Sequence, residues 1–446
     1  MSLAIEAIHA TEVLDSRGNP TVSAEVRLAD GATAEASVPS GASTGSHEAV
    51  ELRDGDPRRY EGRGVLRAVG NVNQILAPEL CGMDASGQAA IDARMIELDG
   101  TPNKSRLGAN AILAVSCAVA RAAAGARRMP LWRYLADGRR AVLPVPLINP
   151  MVNILSGGLH AGSHIEFQDF LIVPRGFTTY AEALEAIVTV HRAARRVIEG
   201  RGLLLTGVAD EGGWGPRFQS NEEALEILSE AIQVSGYGSF NSSHGAATSS
   251  HSTATSSDSA ATSSHSAAGP QMAIAIDAAS THFWRDGAYA LASEGRVLSS
   301  DGMIALLERW VARYPVVSIE DGLAEDDWEG WRTLTGSLGN SVQLIGDDLF
   351  VTNLDRLNRG IASGVANSVL VKMNQAGTLT ETFAVIDRAR EAGYGAVISA
   401  RSGETEDAFL ADLAVASGAG QIKVGSVRTS ERLAKYNRLL KLEAEV

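Results

Sequence analysis

The feature that most constrains the fold of this chain is a series of short apolar runs that recur after residue 150. Amphipathic helix patterns separate most of these runs from one another. A strand that is buried on both faces of a parallel sheet is apolar throughout, and each run has that character. The runs cover residues 169–173, 203–208, 272–276, 316–319, 342–345, 368–371, 396–399 and 421–424. Eight such strands with helical crossovers predict an α/β fold of the (β/α)8 (modified TIM) barrel type.

The first part of the chain has a different pattern, in which strands come before helices. The predicted strands and helices cover, in order, residues 21–28, 33–38, 68–76, 87–98 and 109–124. This order indicates an α+β domain. Pro144 and Pro146 then interrupt regular structure between the two patterns. We therefore predict an N-terminal α+β domain at residues 1–140 and a C-terminal barrel domain at residues 141–446.

One segment fits neither pattern, because residues 242–269 form four tandem serine-rich heptads without an apolar seam. Such a sequence cannot bury enough surface to fold alone, and it predicts a disordered insertion at about 237–270. Three of the nine histidines lie in the heptads, so metal capture is an alternative interpretation. The insertion follows a helix pattern and precedes the predicted strand 272–276. We therefore expect it on the barrel face opposite the usual active site.

Composition excludes several classes of protein. The net charge of -14 argues against a nucleic-acid partner. The two cysteines, Cys81 and Cys117, are too few for a disulfide framework or a four-cysteine zinc site. The N-terminus lacks the basic start and apolar run of a signal peptide. The apolar helix pattern at 109–124 is predicted to be too short and too interrupted to cross a bilayer. These features predict a cytoplasmic protein without a membrane span.

Residues 41–45, Gly-Ala-Ser-Thr-Gly, match the G-x-S-x-G pattern of serine hydrolases. A nucleophile elbow would stand between a strand and a long helix of an α/β-hydrolase sheet, whereas this match lies in the α+β region. We favour a flexible Gly/Ser loop that folds over a ligand.

Acidic residues stand at the carboxyl ends of three predicted barrel strands: Asp277, Glu320 and Asp347. Barrel enzymes carry their chemistry on that face. A single acid there could simply cap the next helix. Three together, with no basic residue beside them, are expected to repel one another unless a cation lies between them. Carboxylate oxygens indicate that this cation is Mg²⁺.

Two lysines and one further acid extend this set. Lys372 follows one predicted strand and Lys423 lies within another, where burying the charge is costly as pure structure. A lysine next to a divalent ion is pushed toward the neutral amine, which makes it a candidate general base. Glu211 is predicted to follow a strand and to act as the acidic counterpart. The set therefore predicts metal-assisted removal of a proton from carbon.

Six motifs in this order resemble those of the enolases, and the likeness covers nearly the whole chain. They are DSRGNPTV at 15–22, SGASTG at 40–45, ADEGG at 209–213, SIED at 318–321, RSGETED at 401–407 and ERLAK at 431–435. The resemblance implies an α+β cap on a modified barrel, a homodimer, and dehydration of 2-phosphoglycerate to phosphoenolpyruvate.

The resemblance also implies a role for each matching residue. Lys372 would take the proton alpha to the carboxylate, and Glu211 would assist departure of hydroxide. One Mg²⁺ would be held by Asp277, Glu320 and Asp347, and a second with the help of Ser43 in the Gly-rich loop. The residues implied to contact the substrate are His160, Asp169, Glu320, Asp347, Arg401, Ser402 and Lys423. Metal-stabilised enediolates with a lysine or histidine base are known for this superfamily.

Two residues depart from the family pattern at the expected site. Ala400 stands where the family has histidine, and Asp169 stands where it has glutamate. Three interpretations follow: an enolase, an enolase-like enzyme of phosphonate biosynthesis of the carboxyphosphonoenolpyruvate synthase type, or a non-catalytic binding protein. Retention of Lys372, Glu211 and the three metal acids argues against the third, since nothing structural requires that set.

Overall fold

The computed structural model describes residues 3–41, 45, 47–136, 148–238 and 269–445. Ser43, the predicted domain boundary at 140/141 and residues 242–268 of the serine-rich heptads lie outside the described residues. The order predicted from the sequence, an α+β region followed by a barrel, is confirmed.

An antiparallel sheet in the order β1-β2-β3 forms the base of the N-terminal region. Its strands are β1 (Ile5–Leu14), β2 (Pro20–Leu28) and β3 (Thr33–Ser37). The helices that follow are α1 (Leu66–Asn71), α2 (Ala77–Leu80), α3 (Gln88–Asp99), α4 (Ala109–Ala126) and α5 (Leu131–Leu135). Helix α4 is apolar on almost every face and packs against β2 and β3.

Helix α4 also corrects one expectation from the sequence. Among the described residues it is the one helix that is long and apolar enough, by length and composition, to cross a membrane. In this fold 83% of it is buried inside the protein, as the core helix of the N-terminal region. The sequence prediction ended the pattern at Ala124 and counted Ser116 and Arg121 as interruptions, whereas the helix continues to Ala126 and Arg121 is its one charged residue.

A closed eight-stranded barrel follows, in the order β10-β11-β12-β13-β14-β4-β5-β6. Its strands are β4 (Asn149–Ser156), β5 (Asp169–Arg175), β6 (Gln271–Asp277), β10 (Val316–Glu320), β11 (Gln343–Gly346), β12 (Ser368–Val371), β13 (Gly395–Ser399) and β14 (Gln421–Gly425). A small separate sheet comprises β7 (Trp284–Arg285), β8 (Ala288–Leu291) and β9 (Arg296–Leu298). The surrounding helices are α6 (Tyr180–Gly200), α7 (Asn221–Val234), α8 (Ser300–Arg313), α9 (Trp328–Leu338), α10 (Leu354–Ser363), α11 (Met373–Ala376), α12 (Leu379–Glu391), α13 (Phe409–Ser417) and α14 (Ser430–Ala444).

The predicted strand at 203–208 is wrong. That stretch is a loop, and Leu204 within it is 78% exposed, which a barrel strand buried on both faces cannot be. Its place in the barrel belongs to β4, which the sequence did not predict. Pro150 and Asn153 interrupt the apolar run of β4 and so hide it from the pattern.

The prediction of an all-parallel barrel is also wrong, because β5 runs antiparallel to both β4 and β6. Residues 157–168, which join β4 to β5, contain a short 3₁₀ turn instead of a crossover helix. Without a crossover, the second strand can only return antiparallel to the first. This reversal places Asp169, the first residue of β5, opposite Asp277, the last residue of β6.

The interior of the barrel below this edge is closed by an apolar layer. Its buried members are Met151, Leu171, Val173, Ala275, Ile345, Leu370 and Val397. Polar and charged side chains collect above this layer, at the carboxyl ends of the parallel strands.

Candidate active site

The three predicted metal acids lie at the same end of the barrel. Asp277 ends β6, Glu320 ends β10, and Asp347 directly follows β11. All three are buried, at 3%, 2% and 8% exposure respectively. The sequence-based placement of these residues at strand ends therefore holds.

The expectation that these acids have no basic partner is wrong. Nζ of Lys423, on β14, lies 2.7 Å from Oδ2 of Asp277 and 2.7 and 2.8 Å from the two carboxylate oxygens of Glu320. Burial by itself would lower the pKa of Lys423, but the two carboxylates raise that pKa well above its ordinary value. Asp277 and Glu320 thus converge on a position already held by a cation.

Lys372 forms the second pair of the site. It follows β12, at the start of α11, and its ammonium donates a hydrogen bond to Oδ2 of Asp347. Burial lowers the pKa of Lys372, and the Asp347 carboxylate more than offsets this effect, so the pKa lies above its ordinary value. Gln375 donates to the other oxygen of Asp347 at 3.0 Å. Lys372 is therefore a charged ammonium in this arrangement.

A second group of buried titratable residues surrounds His160. Its Nδ1 lies 2.8 Å from Oδ2 of Asp169, and its Nε2 lies 3.9 Å from Oε1 of Glu211. Burial opposes the charge on the imidazole, but the two carboxylates raise the pKa of His160 to about 9. Asn153 and Ser156, on β4, donate hydrogen bonds to Oδ1 of Asp169. The sequence did not single out Asn153 or Ser156, since neither belongs to a recognised motif.

Glu211 reaches this group from a loop and not from the end of a strand, as the sequence had predicted. Two neighbouring strands hold the loop: Ser426 N, just after β14, donates to the carbonyl of Glu211 at 2.8 Å, and Trp214 N donates to Ile154 O of β4 at 2.8 Å. Burial raises the pKa of Glu211, but His160 and nearby cations bring it below its ordinary value. Glu211 is therefore a carboxylate in this structure.

Arg401 and Ser402 follow β13 and meet the N-terminal region. Nη1 of Arg401 donates to Oε2 of Glu48 at 3.0 Å, and both side chains are buried. Nη1 of Arg17 lies 3.3 Å from Oγ of Ser402. Burial opposes the charge of Arg401, but Glu48 raises its pKa above the ordinary value.

Backbone hydrogen bonds dock the DSRG motif of the N-terminal region on the loop that carries Arg401. Ser16 N donates to Glu404 O at 2.8 Å, and Ser40 and Gly403 exchange two hydrogen bonds at 2.8 and 3.0 Å. A Cβ atom on Gly403 would lie only 2.3 Å from Oδ2 of Asp15. Only glycine allows this close approach.

One cavity connects these groups. Its lining residues are His160, Gln168, Glu211, Asp277, Lys372, Ser399, Ala400, Arg401, Ser402, Lys423 and Val424. Gln168 was missed by sequence reasoning, although it directly precedes the predicted residue Asp169. Its Nε2 lies 3.3 Å from Oδ2 of Asp277, and its buried Oε1 has no hydrogen-bond partner within the described part of the chain.

The donor set suits a hard divalent cation. Asp277 and Glu320 already surround a lysine ammonium, and Gln168, whose Nε2 contacts Asp277, carries a buried Oε1 that has no hydrogen-bond partner among the described residues. Oxygen donors of this kind are those that Mg²⁺ prefers. Two groups of described residues have ligand atoms within 4.8 Å of one another: His160, Asp169 and Glu211, and Asp321, Asp347 and Asp348. Asp277 and Glu320 belong to neither group. The protein thus contains acidic clusters that could bind a metal.

Comparisons with known proteins agree with this arrangement. The family described as "Enolase, N-terminal domain" matches residues 5–135, and "Enolase, C-terminal TIM barrel domain" matches residues 140–258 and 245–446. A curated protein named enolase, from Acidothermus cellulolyticus, is 53% identical over 442 residues, which cover 99% of this chain and 94% of that relative. The chain is an enzyme of the enolase family.

Proposed function

We propose that this enzyme is the hydro-lyase of glycolysis that dehydrates 2-phosphoglycerate to phosphoenolpyruvate. The observation that carries the proposal is the single cavity in which Lys372 and Glu211 are joined by three groups suited to bind anions: Arg401, Ser402 and Lys423. The 53% identity to a curated enolase supports the same activity. Neither comparison favours the carboxyphosphonoenolpyruvate alternative.

The cations of the cavity match the two anionic groups of this substrate. Arg401 and Ser402 would bind the phosphate, and Lys423 the carboxylate. Arginine is suited to phosphate because its planar guanidinium offers parallel donors. His160 and Asp169 would line the substrate on the side of Glu211, and Glu320 and Asp347 would contact it from the β10 and β11 ends.

Lys372 would remove the proton from the carbon alpha to the carboxylate. It must first release its own proton to solvent, because it is an ammonium beside Asp347 in this structure. The hydroxyl group leaves as water, so it needs a proton from the part of the cavity opposite Lys372. Glu211 is charged, and the His160 imidazolium, whose Nε2 lies 3.9 Å away, would supply that proton through it.

Asp277, Glu320 and Asp347 would hold one Mg²⁺, with a second Mg²⁺ bound partly through Ser43. When bound, the metal ions would stabilise the negative charge that develops on the substrate carboxylate. Because Lys423 contacts two of these acids, it would have to turn its ammonium toward the substrate carboxylate when the site is loaded. We further propose a cytoplasmic homodimer.

The direct test is formation of phosphoenolpyruvate from 2-phosphoglycerate by the full-length protein with millimolar Mg²⁺. We expect turnover in the wild type and a loss of about 10²–10⁴-fold in Lys372→Met. Lys104→Met is the matched control, since Lys104 is also buried and paired, with Glu381 at 2.9 Å, but lies outside the cavity. Absence of turnover in folded wild-type protein would refute the proposal.

A further inference from the structure

Glu48 meets Arg401 in a buried contact between the N-terminal region and the barrel. The two side chains are 6% and 3% exposed. Oε2 of Glu48 lies 3.0 Å from Nη1 of Arg401, and Oε1 lies 3.4 Å from Nη2. The carboxylate therefore faces two nitrogens of the guanidinium, as a bound carboxylate or phosphate would. Nη1 also donates to Oδ1 of Asn374 at 3.0 Å, so the protein already uses both hydrogens of Nη1.

Other contacts hold Glu48 in place independently of Arg401. The backbone N–H of Gly45 donates to Oε1 of Glu48 at 2.9 Å, and Nε2 of Gln375 lies 3.2 Å from the same oxygen. Gln375 is itself fixed by a hydrogen bond to Asp347 at 3.0 Å. Because of these contacts, Glu48 cannot move away from Arg401 without breaking further hydrogen bonds.

We propose that Glu48 acts as an internal anion in the phosphate subsite and lowers the affinity of that subsite for phosphate. The inference rests on the proposed role of Arg401 as phosphate ligand and deepens it. A phosphate that reaches Arg401 must either displace the Glu48 carboxylate or share the guanidinium with it. In a buried site both routes act against a fixed like charge, which weakens binding by about tenfold or more.

This penalty lowers the affinity of every ligand that places a phosphate at Arg401 by about the same factor. A phosphorylated hydroxy acid also carries a carboxylate for Lys423, and this second contact keeps its affinity high enough for binding in spite of the penalty. Inorganic phosphate has no such group, so its affinity stays low. Glu48 thus keeps free phosphate out of the site while a larger anion with two charged groups still binds.

The test is calorimetric titration of the full-length protein with inorganic phosphate, without added Mg²⁺. Glu48→Gln keeps the size of the side chain and removes its charge, and we expect it to bind phosphate about tenfold more tightly than the wild type. Inhibition of the dehydration reaction by phosphate should strengthen in parallel. A gain in affinity cannot result from misfolding, so a structural role alone would not produce it.

Two controls complete the test. Glu51→Gln makes the same charge change on the same segment, but Glu51 pairs with Arg53, so its effect should be much smaller. Glu48→Asp retains the charge and should remain close to the wild type. Unchanged or weaker phosphate binding in Glu48→Gln overturns the inference. Unchanged phosphate binding in Arg401→Gln would instead refute the proposed phosphate role of Arg401.

Discussion

Nδ1 of His160 lies 2.8 Å from Oδ2 of Asp169, and both side chains are buried at the edge of the barrel where β5 begins. Although Asp169 is one methylene shorter than the glutamate that the resemblance implies, its carboxylate still reaches the imidazole. Asn153 and Ser156 hold the same carboxylate from the other side. The result is an imidazolium fixed next to Glu211.

This pair predicts a dependence of stability on pH. The pKa of His160 is about 9 in the folded protein and about 6.5 when unfolded. Its contribution to the free energy of unfolding is therefore complete below pH 6.5 and is lost as the pH rises through 9. Asp169→Asn should remove a large part of this contribution at pH 6, because the Asp169 carboxylate does more than any other group to raise the pKa of His160.

Urea denaturation between pH 6 and pH 9.5 checks this prediction. The difference between wild type and Asp169→Asn should shrink steadily across that range. Ser156→Ala removes one hydrogen bond to the carboxylate but leaves its charge, so its cost should be nearly independent of pH. A constant difference for Asp169→Asn would show that the pair is not charged.

Gly403 is predicted to be essential for docking the N-terminal region on the loop that carries Arg401. In Gly403→Ala the added Cβ would lie 2.3 Å from Asp15 and 2.8 Å from Ser40 O, so the two segments must separate. We expect a destabilisation of about 1–3 kcal/mol together with weaker phosphate binding. In Gly336→Ala, within helix α9, the new Cβ meets nothing within 4 Å. That control should be neutral or stabilising by up to about 1 kcal/mol. Equal effects of the two substitutions would contradict the docking role.

Ala400 lines the cavity at the position where the family resemblance implies a histidine, and its side chain can neither donate a hydrogen bond nor transfer a proton. We therefore expect slow dehydration by the wild type. Ala400→His, best combined with Asp169→Glu, should raise kcat by up to about 10²-fold, the lower range for an acid–base group. Ala400→Gln adds a side chain of comparable size without a titratable group, so it should raise kcat only slightly. If the histidine variants are no faster, the present site already supplies the missing function.

Asp347 belongs both to the predicted metal ligands, with Asp277 and Glu320, and to the cluster with Asp321 and Asp348. Mg²⁺ binding by variants shows which of the two sets holds the metal. Because Mg²⁺ is expected to bind only the folded state, it should raise the melting temperature. At a free Mg²⁺ concentration of a hundred times Kd, the stabilisation is about 2.7 kcal/mol. Asp347→Asn and Glu320→Gln should abolish most of the rise, whereas Asp348→Asn should retain it. The reverse result for Glu320 and Asp348 would assign the metal to the cluster of Asp321, Asp347 and Asp348.

The sequence predicted where the acidic side chains of the site lie, but it did not predict which side chains contact them. Asp277 and Glu320 could be placed because the carboxyl ends of parallel strands meet at one edge of a barrel. The contact between Lys423 and Asp277 joins residues 146 positions apart, and no local pattern records such a pairing. The sequence alone therefore gives no basic partner for these acids.

Strand β4 and the direction of β5 escaped prediction for local reasons. Pro150 and Asn153 break the apolar run of β4, while the exposed stretch 203–208 imitates a buried strand by composition alone. Strand direction depends on the connection between two strands, and residues 157–168 give no sign that a helix is missing there. The contact between Glu48 and Arg401 was equally invisible, because it depends on how the N-terminal region docks on the barrel.

Exchange of the C2 hydrogen of 2-phosphoglycerate with solvent tests the central assignment most directly, because it separates proton removal from loss of water. With substrate deuterated at C2, the wild type and Glu211→Gln should both release deuterium, although Glu211→Gln should form little phosphoenolpyruvate. Lys372→Met should release none. Deuterium release by Lys372→Met at the wild-type rate would contradict the assignment of Lys372 as the base.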